Sequence, residues 1–340
     1  MDGFSFNMAL HFSFIVPVYN RPEETKELLE SFLIQDSPDF EVVIVEDGSQ
    51  HTSEEVIDDF ARKLNVSYYQ KPNTGPGDSR NYGMRRAKGD YFIILDSDCV
   101  LPPHYLTEVR KELDNSFVHC FGGPDQAHES FTSIQKAIDF TMTAFITTGG
   151  IRGGKKAVTK FQPRSFNLGI SKEAFVKTGG FGNIHPGEDP DLVFRLWKSG
   201  YDTRLFKNAF VYHKRRINWK KFRQQVTKFG MVRAILNKWH PKTAKIAYWF
   251  PSFITIGFLS SLLLAAFGIY WPSLCVLAYV FLVFLGALIA GLSFKAAFLS
   301  IYAVAIQFFG YGLGFLKSTI LVNFSNKKPE ELFPTLFFKA

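Results

Sequence analysis

The sequence contains few cysteines, and their spacing gives them no structural pattern. Cys99, Cys120 and Cys275 are odd in number and far apart, which excludes a disulfide framework and a zinc site built on cysteine pairs. A reducing compartment is therefore expected. The N-terminal residues carry neither a basic region nor a long apolar core, so the sequence predicts no signal peptide.

Charge is also scarce in one part of the chain. The 340 residues carry 39 Lys and Arg against 31 Asp and Glu, and the net charge of +8 suits an anionic partner such as a nucleotide phosphate or a membrane surface. No block of Lys and Arg interleaves with aromatic residues, so nucleic acid is not expected as a partner. Between residues 248 and 322 the only charged side chains are Lys295 and Lys317. The sequence therefore predicts a globular first part and an apolar second part.

Short apolar runs alternate with helix-like segments through the first part. They lie at residues 12–19, 41–46, 66–69, 91–95 and 117–121. Strands that alternate with helices at this spacing predict an α/β fold with a Rossmann-like, doubly wound and mostly parallel sheet.

Two of the predicted helices begin at capping signals. Asn20 is expected to cap the first helix, with Pro22 in its first turn. Thr52 and Glu55 have the spacing of a capping box for the second helix.

Two carboxylates follow the most apolar strand, at residues 91–95. Side chains at i and i+2 of an extended segment point the same way, so Asp96 and Asp98 can converge on one hard cation, which commonly also holds substrate phosphates. The second strand also ends in acids, which places Asp47 along the same edge of a parallel sheet, where such sheets bind ligands. A solvated turn after the strand is the alternative.

A second group of acids opens a later helix. Glu188 and Asp189 follow Gly187 and precede an apolar stretch that ends at Gly200. Acids at a helix N-terminus are often only dipole partners, but this group exceeds what a cap needs, so a catalytic role is an equal alternative. The glycine-rich, partly basic residues 149–154 could cover a substrate or could be plain surface.

The ordered motifs resemble a known family. In chain order they are residues 15–20 (IVPVYN), 46–49 (EDGS), 79–81 (SRN), 87–91 (AKGDY), 96–98 (DSD), 179–181 (GGF), 187–189 (GED) and 211–213 (VYH). Over roughly the first 215 residues this set resembles the family 2 inverting glycosyltransferases with the GT-A fold, among them bacterial enzymes that build exopolysaccharide, O-antigen or glycolipid intermediates. Glu46 departs from the pattern, since many members carry Asp there, but it keeps the charge.

The resemblance implies a nucleotide-sugar donor and a divalent cation, Mn²⁺ or Mg²⁺. Asp98, Asp96 and His213 would hold the cation, which neutralises the charge developing on the diphosphate. Asp189 would be the general base, with Glu188 orienting it. The nucleotide-sugar-binding residues that the resemblance implies are Pro17, Tyr19, Glu46, Asp47, Arg80 and Asp96. A histidine with a structural role after a strand is the alternative for His213.

The second part of the chain predicts a membrane attachment. Residues 218–239 are basic and amphipathic, which is typical of a helix on an anionic membrane surface or, alternatively, of a helix packed on the preceding domain. Three uncharged stretches follow, at about residues 249–270, 273–292 and 296–316, each near the ~20 residues that a span needs.

Lysines set the expected orientation. Lys242 and Lys245 precede the first apolar stretch, which predicts a multi-pass protein of the inner (plasma) membrane with a cytoplasmic catalytic domain. Three full spans would put Lys327 and Lys328 outside, so a re-entrant or interfacial third stretch is the alternative.

We therefore predict four regions. They are a GT-A domain at residues 1–217, an amphipathic helix and linker at 218–245, about three apolar helices at 246–325 and a tail at 326–340. A fragment ending near Pro241 is expected to be soluble or peripherally bound and to bind nucleotide.

The expected activity is the transfer of one sugar, from a donor that the resemblance makes UDP-linked, to a lipid-linked or membrane-presented glycan acceptor. A Q-x-x-R-W motif, usual in processive synthases of the family, does not occur near the membrane entry. A processive synthase, a polyprenyl-phosphate glycosyltransferase, a sugar-nucleotide pyrophosphorylase and a membrane scaffold with a nucleotide-sensing domain are the alternatives.

Overall fold

The structure, a computed structural model, describes residues 10–126, 132–149, 160–213 and 218–338. It divides into two compact units. The sheet unit comprises the described residues of 1–128, 159–214 and 338–340, and the helical unit comprises those of 129–158 and 215–337. The structure thus groups residues 132–149 with the C-terminal helices, whereas the predicted boundary at residue 217 places them in the first domain.

The secondary structure follows the chain in this order. The strands are β1 (Phe12–Val18), β2 (Phe40–Asp47), β3 (Val66–Lys71), β4 (Tyr91–Leu95), β5 (Cys99–Val100), β6 (Cys120–Gly122), β7 (Asp125–Gln126), β8 (Asn167–Ser171), β9 (Thr203–Leu205) and β10 (Val211–His213). The α-helices are α1 (Pro22–Leu33), α2 (Glu54–Phe60), α3 (Pro76–Arg86), α4 (Tyr105–Asn115), α5 (Ser133–Thr143), α6 (Phe145–Thr148), α7 (Lys172–Thr178), α8 (Glu188–Lys198), α9 (Trp219–Trp239), α10 (Phe250–Ala266), α11 (Trp271–Ile289), α12 (Phe294–Phe324) and α13 (Pro329–Leu332). Short 3₁₀ helices lie at Pro241–Thr243, Ile246–Trp249 and Pro334–Leu336.

The main sheet has seven strands in the order β3-β2-β1-β4-β8-β6-β9. β1, β2, β3 and β4 are parallel, whereas β8 runs antiparallel to both β4 and β6. A small second sheet has the order β5-β10-β7. The prediction of a mostly parallel α/β sheet followed by apolar helices is confirmed.

The central strands are buried on both faces, which explains their unbroken apolar sequences. On one face Phe14 packs edge-on against the rings of Phe32 and Phe40, with centroids 4.7 and 5.2 Å away. On the other face Ile15 and Phe92 join a second cluster of buried side chains. Truncating a buried ring of this kind to Ala costs about 3–5 kcal/mol, so the sheet edge that carries the acids rests on a rigid base.

Both predicted helix caps are wrong, since neither α1 nor α2 has a side-chain cap. Asn20 has a φ of 54° and lies before helix α1, and its Oδ1 accepts hydrogen bonds from the N–H groups of Gln50 and His51 at 2.8 and 3.0 Å. Helix α2 begins after Ser53 with no side-chain cap, and the Ser53 N–H donates to Glu46 at 2.9 Å. These bonds tie the end of β1 to the loop after β2.

The helical unit contains three helices that are long and apolar enough to cross a membrane, as predicted. They span Ile246–Ala266, Trp271–Ile289 and Phe294–Phe324, with 21, 19 and 31 residues. Helix α5 packs against two of them, since Phe140 shares a buried cluster with Val283 and Val304.

Helices α9 and α12 pack side by side at glycines. A Cβ added at Gly230 would clash with the backbone of Tyr311, and one added at Gly314 would clash with the backbone of Thr227. Small residues at such positions let two helix backbones approach closely. The apolar face of α9, which includes Phe222, is therefore covered by a neighbouring helix.

Candidate active site

The small second sheet brings Asp98 and His213 together. β10 pairs antiparallel with β5, and this register sets His213 opposite Cys99, the residue after Asp98. His213 Nε2 lies 3.1 Å from Asp98 Oδ1. With Cys99, these two residues form the one group in the described part of the chain whose donor atoms are close enough to hold a metal ion.

Within this group the carboxylate and the imidazole are the better ligands for a hard cation. Burial raises the pKa of the Cys99 thiol well above its ordinary value, so the thiol stays protonated. Its Sγ lies 3.4 Å from the Phe166 carbonyl oxygen, to which it donates. Asp98 and His213, both implied by the family resemblance, are thus the donors that the structure places together.

A cationic side chain already contacts the same carboxylate. Arg21 Nη1 donates to Asp98 Oδ2 across 2.7 Å. Burial raises the pKa of Asp98, but His213 and Arg21 outweigh it and the pKa lies below its ordinary value. The sequence analysis missed Arg21, although its place just beyond β1, at the sheet edge that carries the acids, was a signal for it.

Arg80 connects the acid after β4 with the acid that opens α8. Its Nη2 donates to Asp96 Oδ1 at 3.0 Å, and its Nη1 donates to Glu188 Oε1 at 3.1 Å. The guanidinium also lies 5.2 Å from the centre of the Phe181 ring. Asp96 therefore faces Arg80, and it is not part of the group formed by Asp98 and His213.

The environment shifts the pKa values of the two acids at the start of α8 in opposite directions. Burial would raise the pKa of Glu188, but its interactions with His185 and Arg80 lower it to about 2. Burial, and then the negative charge of Glu188, raise the pKa of Asp189 above its ordinary value. Adjacent carboxyl groups with divergent pKa values are a frequent sign of distinct acid and base roles.

The two carboxylate oxygens of Asp189 differ in their hydrogen bonding. Its Oδ2 accepts a hydrogen bond from the Ser165 N–H at 3.2 Å. Its Oδ1 is shielded from solvent and has no hydrogen-bond partner among the described residues. A buried carboxylate oxygen without a donor, on a group with a raised pKa, is suited to accept a proton.

The acids at the end of β2 hold loops rather than projecting freely. Asp47 accepts from Lys71 Nζ at 2.5 Å and from the N–H groups of Thr74 and Gly75, both at 3.0 Å. Glu46 accepts from Ser53, as described above, and from the Tyr68 hydroxyl at 3.2 Å.

These loops enclose a small pocket beside the sheet edge. It has a volume of about 200 Å³ and is lined by Glu46, Gly48, Ser49, Thr52, Gln70 and Lys71. Tyr19 lies after β1 with 52% of its surface exposed, and Pro17 is half-buried within that strand. Among the sequence-predicted nucleotide residues, Glu46 lines this polar recess, whereas Pro17, Tyr19, Asp47, Arg80 and Asp96 are not among its lining residues. Lys71 and Gln70 are lining residues that the sequence analysis missed.

Phe338 contributes an aromatic wall near His185. The two rings lie 5.9 Å apart between centroids, and the Phe338 N–H donates to the Asn183 carbonyl at 3.1 Å. A Cβ added at Gly75 would clash with the Phe338 ring, so Phe338 also covers the loop that Asp47 holds. Of the predicted loop at residues 149–154, Gly149 is described, and residues 150–154 lie outside the described residues.

A mostly parallel sheet with acids at its carboxyl edge, followed by a helix that opens with acids, defines a protein of the GT-A fold. Residues 13–175 match the model of glycosyl transferase family 2. The chain carries a family 2 glycosyltransferase domain, and the family implied by the motifs is confirmed.

Two solved structures share the fold. The mannosyltransferase PcManGT from Pyrobaculum calidifontis, solved with GDP-Man and Mn²⁺, has a TM-score of 0.61 and 16% identity, with 89% of this chain and 88% of that chain covered. The Staphylococcus aureus TarS fragment 1–349 has a TM-score of 0.50 and 18% identity, with 91% of each chain covered.

A curated relative shows closer sequence similarity over a shorter range. An uncharacterized glycosyltransferase of Haemophilus influenzae is 31% identical over 192 residues, which cover 54% of this chain and 61% of the relative. The chain thus spans about three fifths of that relative's length.

Proposed function

We propose that this protein is a membrane-anchored inverting glycosyltransferase that transfers one sugar from a nucleotide-diphosphate sugar to a lipid-linked or membrane-presented acceptor. The transfer would serve the synthesis of a cell-surface polysaccharide or glycolipid. The observation that carries the proposal is Asp189, whose raised pKa and unpartnered Oδ1 suit a proton acceptor.

The residues at the second sheet fit a divalent cation. Asp98 and His213 offer an oxygen and a nitrogen ligand about 3 Å apart, and Arg21 shows that this carboxylate already attracts a positive charge. PcManGT, which shares the fold, was solved with Mn²⁺. When bound, the ion would neutralise the charge that develops on the departing diphosphate.

In the proposed reaction, Asp189 acts as the general base and Glu188 raises its basicity. Glu188 stays ionised because Arg80 and His185 hold it, and its charge keeps Asp189 the stronger base. Asp189 Oδ1 takes the proton of the acceptor hydroxyl as the hydroxyl oxygen bonds to the anomeric carbon. The bond from that carbon to the diphosphate oxygen breaks on the opposite face, which inverts the anomeric centre.

The remaining predicted residues would position the donor. Arg80 holds Asp96 in place for the ribose, and Asp47 fixes the loop at residues 71–75 beside the polar recess. Pro17 and Tyr19 would then line the base. The resemblance favours a uridine nucleotide, whereas PcManGT was solved with GDP-Man.

The helical unit supports a membrane location. Its three long apolar helices would anchor the protein, and Lys242 and Lys245 before the first of them favour a cytoplasmic catalytic domain at the inner membrane. A polyprenyl-phosphate glycosyltransferase and a processive synthase remain the alternative activities, and both would use the same residues for the chemistry.

The test is a transfer assay with the full chain in membranes. UDP-sugars and GDP-sugars are offered in parallel with a lipid extract as acceptor, and the products are analysed for chain length and for the configuration at the new linkage. We expect one added sugar of inverted configuration with one class of nucleotide. Retained configuration would refute the proposed role of Asp189, and a long polymer would favour the processive alternative.

A further inference from the structure

The segment between the sheet unit's last strand and the first apolar helix has an unusual charge balance. Residues 218–245 contain eight Lys and Arg and no Asp or Glu. The only acids in the described part of the helical unit are Asp139, Glu330 and Glu331. Positive charge therefore accumulates where the chain enters its apolar part, with little negative charge of its own to balance it.

Arg233 on α9 is one of the partly buried cations in this segment. Its guanidinium carbon lies 4.2 Å from the centre of the Tyr248 ring, and Tyr248 is only 4% exposed. The ring compensates part of the charge through a cation–π contact, but it accepts no hydrogen bond along the N–H directions. Arg233 Nη1 is shielded from solvent and has no hydrogen-bond acceptor among the described residues.

Lys245 adds a second positive charge close to the first. Burial and the charge of Arg233 both lower the pKa of the Lys245 ammonium. Neither residue forms an ion pair within the described chain, so the charge of Arg233 acts on Lys245 with no carboxylate to neutralise it. Two neighbouring, partly buried cations without a carboxylate partner among the described residues are suited to an anion.

The surroundings of the pair match a phosphate that is attached to an apolar tail. Lys245 is followed by Ile246, which is 84% exposed and opens the first of the three long apolar helices. Tyr248 and Trp249 lie within the next turn, where aromatic residues mark the level of lipid headgroups. A free anion would gain nothing from the exposed Ile246, whereas an acyl chain would cover it.

We propose that Arg233 and Lys245 form a binding site for the phosphate of an anionic lipid. Arg233 donates from its unpartnered Nη1 to a phosphate oxygen, Lys245 supplies the second charge, and the acyl chains lie along Ile246. The site belongs to the helical unit alone and needs neither a sugar donor nor an acceptor, so it goes beyond the proposed glycosyl transfer.

The experiment measures lipid binding to the purified full chain in neutral detergent micelles, with no nucleotide sugar present. Native mass spectrometry counts bound dioleoyl phosphatidic acid, and the comparison ligands are dioleoyl phosphatidylcholine and inorganic phosphate at the same concentrations. We expect phosphatidic acid to bind at least tenfold more tightly than phosphatidylcholine. The double variant Arg233→Gln/Lys245→Gln is expected to lose that preference.

The matched control is Lys220→Gln/Lys221→Gln, which removes the same charge from the exposed start of α9. These positions lie about 20 Å along the helix from Arg233 at ~1.5 Å per residue. The control should keep the preference, and Arg233→Lys should retain part of it. Lys245→Gln alone should weaken binding severalfold even where the double variant folds poorly.

Three results would overturn the assignment. The wild type could bind phosphatidic acid no better than phosphatidylcholine. The control could lose as much binding as the Arg233 and Lys245 variants, which would make the effect one of net charge. Inorganic phosphate could compete fully with the lipid, which would make the site one for a soluble anion. None of these measurements involves sugar transfer, so they do not depend on the proposed activity.

Discussion

Arg21 and Asp98 form an ion pair at the sheet edge, with Nη1 2.7 Å from Oδ2, on the carboxylate that also faces His213. A guanidinium in that place competes with a divalent cation for the same carboxylate. The negative charge of Asp98 can therefore be neutralised in two ways, by Arg21 or by an added cation.

Replacing Arg21 with Gln should tighten Mn²⁺ binding in the absence of nucleotide. The variant removes the competing charge and leaves Asp98 and His213 in place, so we expect the dissociation constant to fall severalfold. Titration calorimetry or the electron paramagnetic resonance signal of free Mn²⁺ measures it. Arg110→Gln, at a guanidinium that contacts the Leu10 and Asp39 carbonyls instead, is the control. Weaker Mn²⁺ binding in the Arg21 variant would show that Arg21 supports the ion.

Replacing Asp98 with Ala should abolish metal-dependent nucleotide binding without unfolding the protein. The carboxylate is the one oxygen ligand in the group with Cys99 and His213, and Asp98 lies just before β5, outside the strands of the main sheet. Calorimetric titration of UDP with and without Mn²⁺ tests this. An unchanged, metal-independent affinity in the variant would contradict the assignment of the metal site.

Asp189→Asn should lower sugar transfer by about 10²–10⁴-fold, as is typical when a general base is lost. Nucleotide affinity should stay within a few-fold, because a base acts mainly in the transition state. The control is Asp191→Asn, in the same helical turn, whose carboxylate pairs with Arg195 at 2.8 Å and should affect stability more than turnover. Near-normal transfer by the Asp189 variant would refute its role as the base, and the acids at the start of α8 would then serve only as partners of the helix dipole.

Glu188→Gln should shift the acidic limb of the pH–rate profile to lower pH. The negative charge of Glu188 helps to raise the pKa of Asp189, so its removal lowers that pKa, and Asp189 remains deprotonated in more acidic solution. The maximal rate should also fall, because Arg80 loses one of its two carboxylate partners. A profile that keeps its acidic limb would show that another group titrates there.

The structure reverses the expectation for a fragment that ends near Pro241. Phe140 and the rest of the buried face of α5 pack on α11 and α12, which such a fragment lacks. We now expect the fragment to aggregate in the absence of detergent, whereas a variant with Phe140→Ser should aggregate less. Size-exclusion chromatography of both fragments measures their aggregation. A monodisperse fragment without the Phe140 substitution would show that the fragment is soluble, as the sequence predicts.

The strands of the site and the acids at their ends could be predicted from the sequence because they depend on local patterns. Apolar strands that end in acids gave β2 and β4 with Asp47 and Asp96 at their ends, and the motif order supplied His213. The partners of those acids could not be predicted in this way, because they come from distant parts of the chain. Arg21 meets Asp98 across 77 positions, and Arg80 meets Glu188 across 108.

The same limit explains the two wrong caps and the placement of α5. Asn20 had a suitable helix to cap, but the loop after β2 offered two N–H groups to its side chain, and tertiary bonds prevailed over the local one. The sequence of α5 does not indicate which helices its apolar face packs against, because Phe140 contacts Val283 only when the apolar helices assemble.

The glycine contacts between α9 and α12 have a mechanical consequence. The two backbones approach closely at Gly230 and Gly314, so we expect α9 and α12 to move together as one rigid unit. Fluorophores on their outer faces should keep a constant separation in single-molecule energy-transfer records. Any bending of this part of the chain should then occur in the short turns between His240 and Lys245, where no long helix resists it.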